Sequence, residues 1–190
     1  ALSMETGEVE WEQQFPGALS SVPRLADDGA LMLLGTDNGD LIALELETRK
    51  PRWSYTTLGT IRNEPLVHEG AVYVVNSRDQ VFALELKTGA WRWQYEQPYP
   101  TEFTVHGHAG LSYLAPEVAV EAVPAGEGEA APASPGGTLF TGFSNGKVAA
   151  IGAKSGEPLW LASAAPPAGG DFIDADARRS FRLRLADVYA

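Results

Sequence analysis

Short runs in which apolar and polar residues alternate recur along this chain, separated by Gly, Pro, Asn and Asp. Such runs are typical of half-buried β-strands, because successive side chains of a strand point to opposite faces. In the clearest run, Phe82, Leu84 and Leu86 are apolar and alternate with smaller or charged residues. Thr88-Gly89 then predicts a turn, since glycine accepts positive φ, and the aromatic segment 91–95 predicts a second strand. The segment 82–95 is therefore predicted to be a β-hairpin.

This hairpin pattern occurs four times. An alanine is followed by Thr or Ser after five residues and by Trp after ten; the copies run from Ala1, Ala43, Ala83 and Ala150 to Trp11, Trp53, Trp93 and Trp160. Glycine follows the Thr or Ser in three copies, and Arg49 takes its place in the other. The tryptophans are 42, 40 and 67 residues apart. A period near forty residues with about four short strands predicts an all-β fold, a β-propeller of four-stranded blades.

The repeat spacing predicts where the strands of each blade lie. For the two regular repeats they are Ser20–Leu25, Ala30–Gly35, Asp40–Leu46 and Pro51–Thr57, then Arg62–Val67, Ala71–Asn76, Gln80–Leu86 and Trp91–Gln97, with Gly137–Phe143 and Lys147–Gly152 in the third. The chain opens inside a hairpin, and Arg184–Asp187 repeats the sequence of Arg24–Asp27 near its end. We therefore expect residues 1–190 to form one partial propeller domain, with about three complete blades and parts of two more.

The third repeat contains an insertion of about 27 residues between Trp93 and Ala150. Most of the excess is Glu117–Pro135, which is rich in Ala, Pro and Glu and contains no Lys, Arg or aromatic residue. A segment of this composition buries too little apolar surface to offset the entropy lost on ordering. We therefore predict a disordered insertion loop at 117–135.

The pattern A-x-x-x-x-[TS]-G-x-x-x-W resembles the tryptophan-docking motif of PQQ-like propeller repeats. That group includes quinoprotein dehydrogenases and BamB-like outer-membrane assembly factors. The resemblance implies a non-catalytic scaffold for protein–protein interaction that assists assembly of outer-membrane β-barrel proteins, in the periplasm or cell envelope, with an outer-membrane lipoprotein as one form. Part of a PQQ-dependent dehydrogenase and a surface polymer-binding propeller are the alternatives.

The resemblance also assigns roles to the tryptophans. In PQQ-like repeats the motif tryptophans lie between blades, whereas the cofactor of the enzymes stacks on a separate tryptophan. Trp11, Trp53, Trp93 and Trp160 are therefore predicted to be structural blade-docking residues. The enzymes also contain an adjacent cysteine pair, and this chain has no cysteine. We predict no catalytic residue, no cofactor and no metal site.

Two carboxylates near the end of the chain are candidates for partner binding. Phe172–Ala177 resembles a D-V-D stretch through which BamB-like proteins contact the assembly pore, with Asp174 and Asp176 as its acids. Alternation on an extended segment would place both carboxylates on one face, which also suits a Ca²⁺ site or a solvated loop. Asp187 belongs to a rival match for the same motif.

A second candidate contact begins at Leu111. Leu111-Ser112-Tyr113-Leu114 resembles the L-S-L-R-G loop of BamB-like proteins. Its first two residues match that motif, but Leu114 occupies the position of the arginine. We expect this loop and the segment around Phe172 to form the partner-binding face, with Tyr113 and Phe172 as apolar anchors. The predicted partner is another protein, by resemblance a component of the β-barrel assembly machinery.

Charge and cysteine content narrow the function classes. The net charge of −11 and pI near 4.6 argue against nucleic acid as a partner. We expect the acids Glu45, Glu47, Asp79 and Glu85 to lie singly on the surface. The absence of cysteine excludes disulfides and thiolate chemistry in this sequence. His106 and His108 could share one side of a strand, but two imidazoles without a third ligand favour exposed loop residues. No membrane-spanning run is present in this segment.

Overall fold

A computed structural model describes residues 1–98, 109–116 and 136–163, which form three four-stranded antiparallel sheets. The first contains β1 (Arg24–Ala26), β2 (Leu31–Gly35), β3 (Asp40–Glu45) and β4 (Lys50–Thr56); the second β5 (Leu66–His68), β6 (Ala71–Val75), β7 (Gln80–Glu85) and β8 (Trp91–Glu96); the third β9 (Ser112–Leu114), β10 (Thr138–Gly142), β11 (Lys147–Gly152) and β12 (Pro158–Ser163). A short 3₁₀ turn, Asp27–Gly29, joins β1 to β2. In every sheet the strands lie in sequence order. These sheets are the blades that the repeat predicts.

The hairpin turn has the same geometry in all four copies of the motif. The N–H of the residue in the glycine position donates to the carbonyl four residues earlier, at 2.8–2.9 Å, in the pairs Gly7–Ser3, Arg49–Glu45, Gly89–Glu85 and Gly156–Gly152. That residue has positive φ in each copy, between 58° and 74°. Glycine is preferred there because it has no Cβ to clash with the backbone. The turn thus has four residues, 46–49 in the first sheet, where the tightest hairpins have two, and Arg49 adopts the same positive φ as the glycines.

The apolar core lies between the sheets. Strand β6 is buried along its whole length. Val72 and Val74 pack toward the first sheet, and Ala71, Tyr73 and Val75 toward the third. The second sheet is covered on both faces. This explains why β6 is a continuous apolar run and not an alternating one.

Strand β9 corrects one expectation. Ser112–Leu114 is not a loop: its residues pair with 138–140 of β10, so this segment is the first strand of the third sheet. Spacing did not reveal the strand, because Leu111 follows Trp93 by 18 residues whereas Pro65 follows Trp53 by 12. The predicted insertion loop, 117–135, falls in the connection from β9 to β10 and lies outside the described residues.

Among the described residues, no helix is long and apolar enough to cross a membrane.

Candidate functional site

Two motif tryptophans pack across the junctions between sheets. Trp53 Nε1 donates to the carbonyl of Leu86 at 2.9 Å, and Trp93 Nε1 donates to that of Ala153 at 3.0 Å. In each case the acceptor belongs to the motif of the following sheet. Burial of an indole contributes about 4–6 kcal/mol at the usual coefficient for apolar area. The side chain thus joins one blade to the next.

Each of these indoles lies directly on the glycine of the next turn. A Cβ added at Gly89 would lie 2.6 Å from Cδ2 of Trp53, and one added at Gly156 would lie 2.6 Å from Cδ2 of Trp93. Both distances are far below van der Waals contact. Glycine is therefore favoured here for two reasons: it adopts positive φ without strain, and it has no Cβ that would clash with the indole.

The other two motif tryptophans have different surroundings. Trp11 lies beside Arg49, whose guanidinium carbon is 5.6 Å from the ring centroid, so a cation–π contact takes the place of the contact with glycine. Trp160 is 38% exposed and packs against Phe140, with ring centroids 5.9 Å apart. The residues that follow Ser163 lie outside the described part of the chain.

Asp79 corrects the expectation that the acids lie on the surface. This residue is only 3% exposed, and its carboxylate accepts hydrogen bonds from the backbone N–H and the hydroxyl of Ser144 in the third sheet. It has a φ of 59° and occupies the turn position of Gly39 and Gly146 in the other sheets. Asp tolerates this conformation better than most residues. Its carboxylate ties the second sheet to the third.

Leu111 lies at a cavity that the sequence did not indicate. The cavity has a volume of about 440 Å³ and is lined by Arg24, Asn63, Glu64, Pro65, Leu66, Gly110 and Leu111. It is bordered by β1 in the first sheet, β5 in the second and the residues that enter β9. The repeat contained a signal for the position of Leu111. Pro23, Pro65 and Leu111 occupy equivalent positions just before the first strand of each sheet.

The cavity combines an apolar wall with one ion pair. Pro65, Leu66 and Leu111 supply the apolar groups. Arg24 Nη1 lies 3.0 Å from Glu64 Oε1, with 47% and 45% of the two side chains exposed. A pair this exposed contributes little to stability. Within the described residues, the pair leaves donors and acceptors unused, and these can bind the backbone or a polar group of a polypeptide whose apolar side chain enters the cavity.

Tyr113 is half-buried and makes contacts inside the protein. Its ring lies on that of His68, with centroids 3.8 Å apart, and its hydroxyl is 3.5 Å from the carbonyl oxygen of Gly136. Burial raises the pKa of the Tyr113 hydroxyl, and the nearby charge of Glu69 raises it further. Part of the Tyr113 ring, which we expected to contact a partner, therefore packs on β5 of the same chain.

The remaining candidate residues fall outside the described ranges. They are Phe172, Asp174, Asp176 and Asp187 of the proposed partner-binding face, together with His106 and His108. Two residues of the predicted partner-binding face are therefore described. Leu111 lines the cavity, and Tyr113 packs against His68. Within the ranges that are described, no group of three or more His, Asp or Glu residues is arranged to hold a metal ion.

Comparison with known proteins places the chain in a family. The family model described as "Outer membrane protein assembly factor BamB" matches residues 1–190. The protein of that name from Shewanella oneidensis is 24% identical over 199 residues, which cover 99% of this chain and 42% of the relative. The Alteromonas naphthalenivorans protein of the same name is 27% identical over 208 residues, covering 84% and 49%. The chain spans less than half of the length of these two relatives.

A solved structure shows the same fold. The crystal structure of BamB from Moraxella catarrhalis superposes with a TM-score of 0.59 at 23% identity, over 83% of this chain and 40% of that one. Together with the family model, this match confirms the β-propeller of PQQ-like repeats predicted from the motif.

Proposed function

The chain belongs to the BamB family of outer membrane protein assembly factors, and from this premise we propose that it is a non-catalytic scaffold in the assembly of outer-membrane proteins. The observation that carries the proposal is the match of the family model along the whole chain. The two relatives are named as assembly factors and not as enzymes. The location proposed with this role is the periplasmic side of the outer membrane, with attachment as a lipoprotein.

The architecture supports a scaffold role. Two apolar interfaces hold three sheets together, so the segments that connect strands are presented by a rigid support. Recognition residues tend to be placed on such connections, because loops vary without disturbing the core. The third repeat carries its extra residues on both sides of β9, next to the cavity at Leu111.

The proposed partner is a protein component of the outer-membrane assembly machinery. Leu111 and the cavity beside it would receive an apolar side chain, and the Arg24–Glu64 pair would bind polar groups at its rim. Phe172, Asp174 and Asp176 would add an apolar anchor and two charges that pair with basic residues. Charges at the rim of an interface act mainly on the association rate and its salt dependence.

The experiment is a binding titration against purified assembly components at physiological salt. Leu111→Ala and the double change Asp174→Ala, Asp176→Ala are each expected to weaken binding by about fivefold or more. Asp187→Ala serves as the comparison, since Asp187 is the rival for the same role. Unaltered binding by the double variant together with loss in Asp187→Ala would move the site to Asp187.

Thermal unfolding of the same variants separates binding from folding. The carboxylate variants should melt like the parent. If they lose stability or bind less Ca²⁺ than the parent, the two aspartates are structural and the proposed contact is wrong. If no assembly component binds the parent protein, the scaffold role itself is contradicted.

A further inference from the structure

A turn asparagine binds the connection before its own sheet at two of the three sheets. Asn38 precedes β3, and its Nδ2 donates to the carbonyl of Pro16 at 3.3 Å. Asn145 precedes β11, and its Nδ2 donates to the carbonyl of Pro98 at 3.5 Å. Each proline follows a motif tryptophan by five residues. The contact is thus part of the repeat.

The junction between the first and second sheets departs from the repeat at both positions. Leu58 follows Trp53 by five residues and takes the place of the proline, and Arg78 takes the place of the asparagine. A Cβ added at Gly59 would lie 3.3 Å from Cγ of Arg78, so the stem of Arg78 lies over the residue next to Leu58. The two changed residues are therefore neighbours on one surface.

Leu58 has an unfavourable backbone conformation and an exposed side chain. Its φ is 62°, in the left-handed region that leucine rarely adopts. The residue is 70% exposed, so burial of the side chain does not offset this cost. Neighbouring hydrogen bonds fix the backbone: Thr57 N–H donates to the carbonyl of Gly39 at 2.8 Å, and Ile61 N–H to that of Thr36 at 3.1 Å. Strain of this kind in a rigid, exposed segment is typical of binding sites.

Two arginines at this junction have no partner among the described residues. Arg62 and Arg78 are exposed and make no ion pair, hydrogen bond or ring contact through their side chains. They lie on segments that are bonded to each other, since Ser77 N–H donates to the carbonyl of Thr60 at 2.9 Å and Thr60 N–H to Ser77 Oγ at 3.0 Å. The other described arginines all have an acid or a ring beside them: Arg24, Arg49, Arg52 and Arg92.

The unused donors of these arginines suit an acidic partner. A guanidinium group binds a carboxylate through two parallel hydrogen bonds, a geometry that lysine cannot reproduce. The net charge of −11 opposes long-range attraction to an anionic membrane, so a local and directional contact is favoured. Leu58 adds an apolar group that a protein surface can bury. Together these groups fit a polypeptide segment in which an apolar residue lies beside Asp or Glu.

The junction adjoins the cavity at Leu111. Arg62 directly precedes residues 63–66, which line that cavity. On its other side Arg78 lines a second cavity of about 510 Å³ together with Glu96 and other residues. The carboxylate of Glu96 accepts hydrogen bonds from two glutamine amides and not from Arg78. Arg78 therefore keeps its donors for a bound segment.

We propose that Leu58, Arg62 and Arg78 form a second contact surface for the protein partner, the Leu58 surface, which binds an acidic segment of that partner. An apolar side chain of the segment packs on Leu58, and its carboxylates bind the two arginines. This inference rests on the proposed function, because the partner is the assembly component. It adds a site for acidic residues to the cavity at Leu111.

The first test separates binding from folding by substitution with asparagine. Arg78→Asn introduces the residue of the other two sheets, and Leu58→Asn introduces a residue that tolerates left-handed φ. Each variant should bind purified components of the outer-membrane assembly machinery about threefold more weakly or worse, while melting at or above the temperature of the parent. Leu161→Asn, exposed on the outer strand of the third sheet, and Lys87→Asn, exposed in the turn between β7 and β8, are the matched controls and should bind like the parent.

The second test uses the dependence on salt. The double variant Arg62→Ala, Arg78→Ala should lower the association rate by about fivefold or more at physiological salt, because exposed charges act mainly on association. Its difference from the parent should largely disappear at about 1 M salt, where the screening length falls to about 3 Å. Lysine at both positions should restore only part of the binding, since it lacks the planar fork.

The outcomes distinguish this surface from the proposed function. A parent that binds no assembly component contradicts the proposed function and the Leu58 surface with it. A parent that binds, with Leu58→Asn and the double arginine variant binding equally well, contradicts the Leu58 surface alone. Weaker binding that accompanies a lower melting temperature in every variant makes these residues structural and overturns the proposal. So does loss of binding to phosphatidylglycerol vesicles in the double variant with component binding unchanged, because the ligand is then a membrane.

Discussion

A motif tryptophan and the glycine of the next sheet form one contact at the residue scale. Trp93 is 7% exposed, and its ring covers Gly156, while the indole N–H is bonded to the carbonyl of Ala153. Neither residue can be changed without affecting the other, since the ring occupies the space in which a Cβ would lie.

Truncation of the docking residue should destabilise the fold. Trp93→Ala is expected to lower the free energy of unfolding by about 3–5 kcal/mol, the range for removal of a large aromatic side chain from a core. Trp53→Ala should have an effect in the same direction. Trp91→Ala is the matched control, because Trp91 is 56% exposed and only two residues away; its effect should stay within about 0.5 kcal/mol. Chemical denaturation measures all three, and equal values for Trp93→Ala and Trp91→Ala would contradict the docking role.

The glycine side of the contact has its own test. Gly89→Ala should cost about 1–2 kcal/mol for the left-handed backbone and about 1–3 kcal/mol more for the clash with Trp53. Gly70→Ala has nearly the same φ, +71° against +70°, but its nearest neighbour would be 3.9 Å from the added Cβ. The difference between the two variants in denaturation midpoint isolates the clash. Similar midpoints would show that the ring moves aside without cost.

Residue types with a strict geometric requirement could be predicted from the sequence, and others could not. The Thr/Ser-Gly turn and the tryptophans were predictable, because positive φ and ring packing each require a particular residue type. Asp79 was not, because an acid in a turn usually faces water. Its alignment with Gly39 and Gly146 in the other repeats was the available signal, since a position with positive φ at a buried junction selects for Asp when glycine is absent.

At the scale of elements, the strands that repeat regularly were predicted to within a few residues. β7 follows the alternation expected of it, and β2 and β6 end close to their predicted turns. In β8 the pairing irregularity opposite Leu84 turns Trp91 away from the face of Trp93 and Tyr95, which the alternation did not predict. The first strand of the third sheet was missed, because the extra residues on both sides of β9 break the spacing that marked β1 and β5. Local alternation over three residues is too short to identify a strand without that spacing.

The connection from β9 to β10 has a direct test. In the second sheet the corresponding strands are joined by Glu69-Gly70 alone. Deletion of 117–135 is expected to change the free energy of unfolding by no more than about 1.5 kcal/mol, because closure entropy depends only weakly on loop length. Limited proteolysis of the parent should cut first within 117–135. Protection of this segment in the isolated protein would show that it packs on the propeller.

At the scale of the whole molecule, the contacts that hold the sheets together lie next to the proposed partner site. The two apolar interfaces hold the three sheets together, with Asp79 and the motif tryptophans crossing the junctions. Leu66 and Leu111 pack against the second apolar interface and also line the cavity of the proposed partner site. Spacing and composition predicted the interfaces, since burial imposes periodicity on the sequence. The cavity depends on how three first strands converge, which no local pattern encodes.

The most direct test of the proposed assembly role is co-purification of the protein from a detergent-solubilised cell envelope, with its partners identified by mass spectrometry. The account predicts enrichment of a component of the outer-membrane protein assembly machinery, retained at physiological salt and reduced in the Asp174→Ala, Asp176→Ala variant. Recovery of the protein without any such component, or with a bound quinone cofactor and dehydrogenase activity, would contradict it.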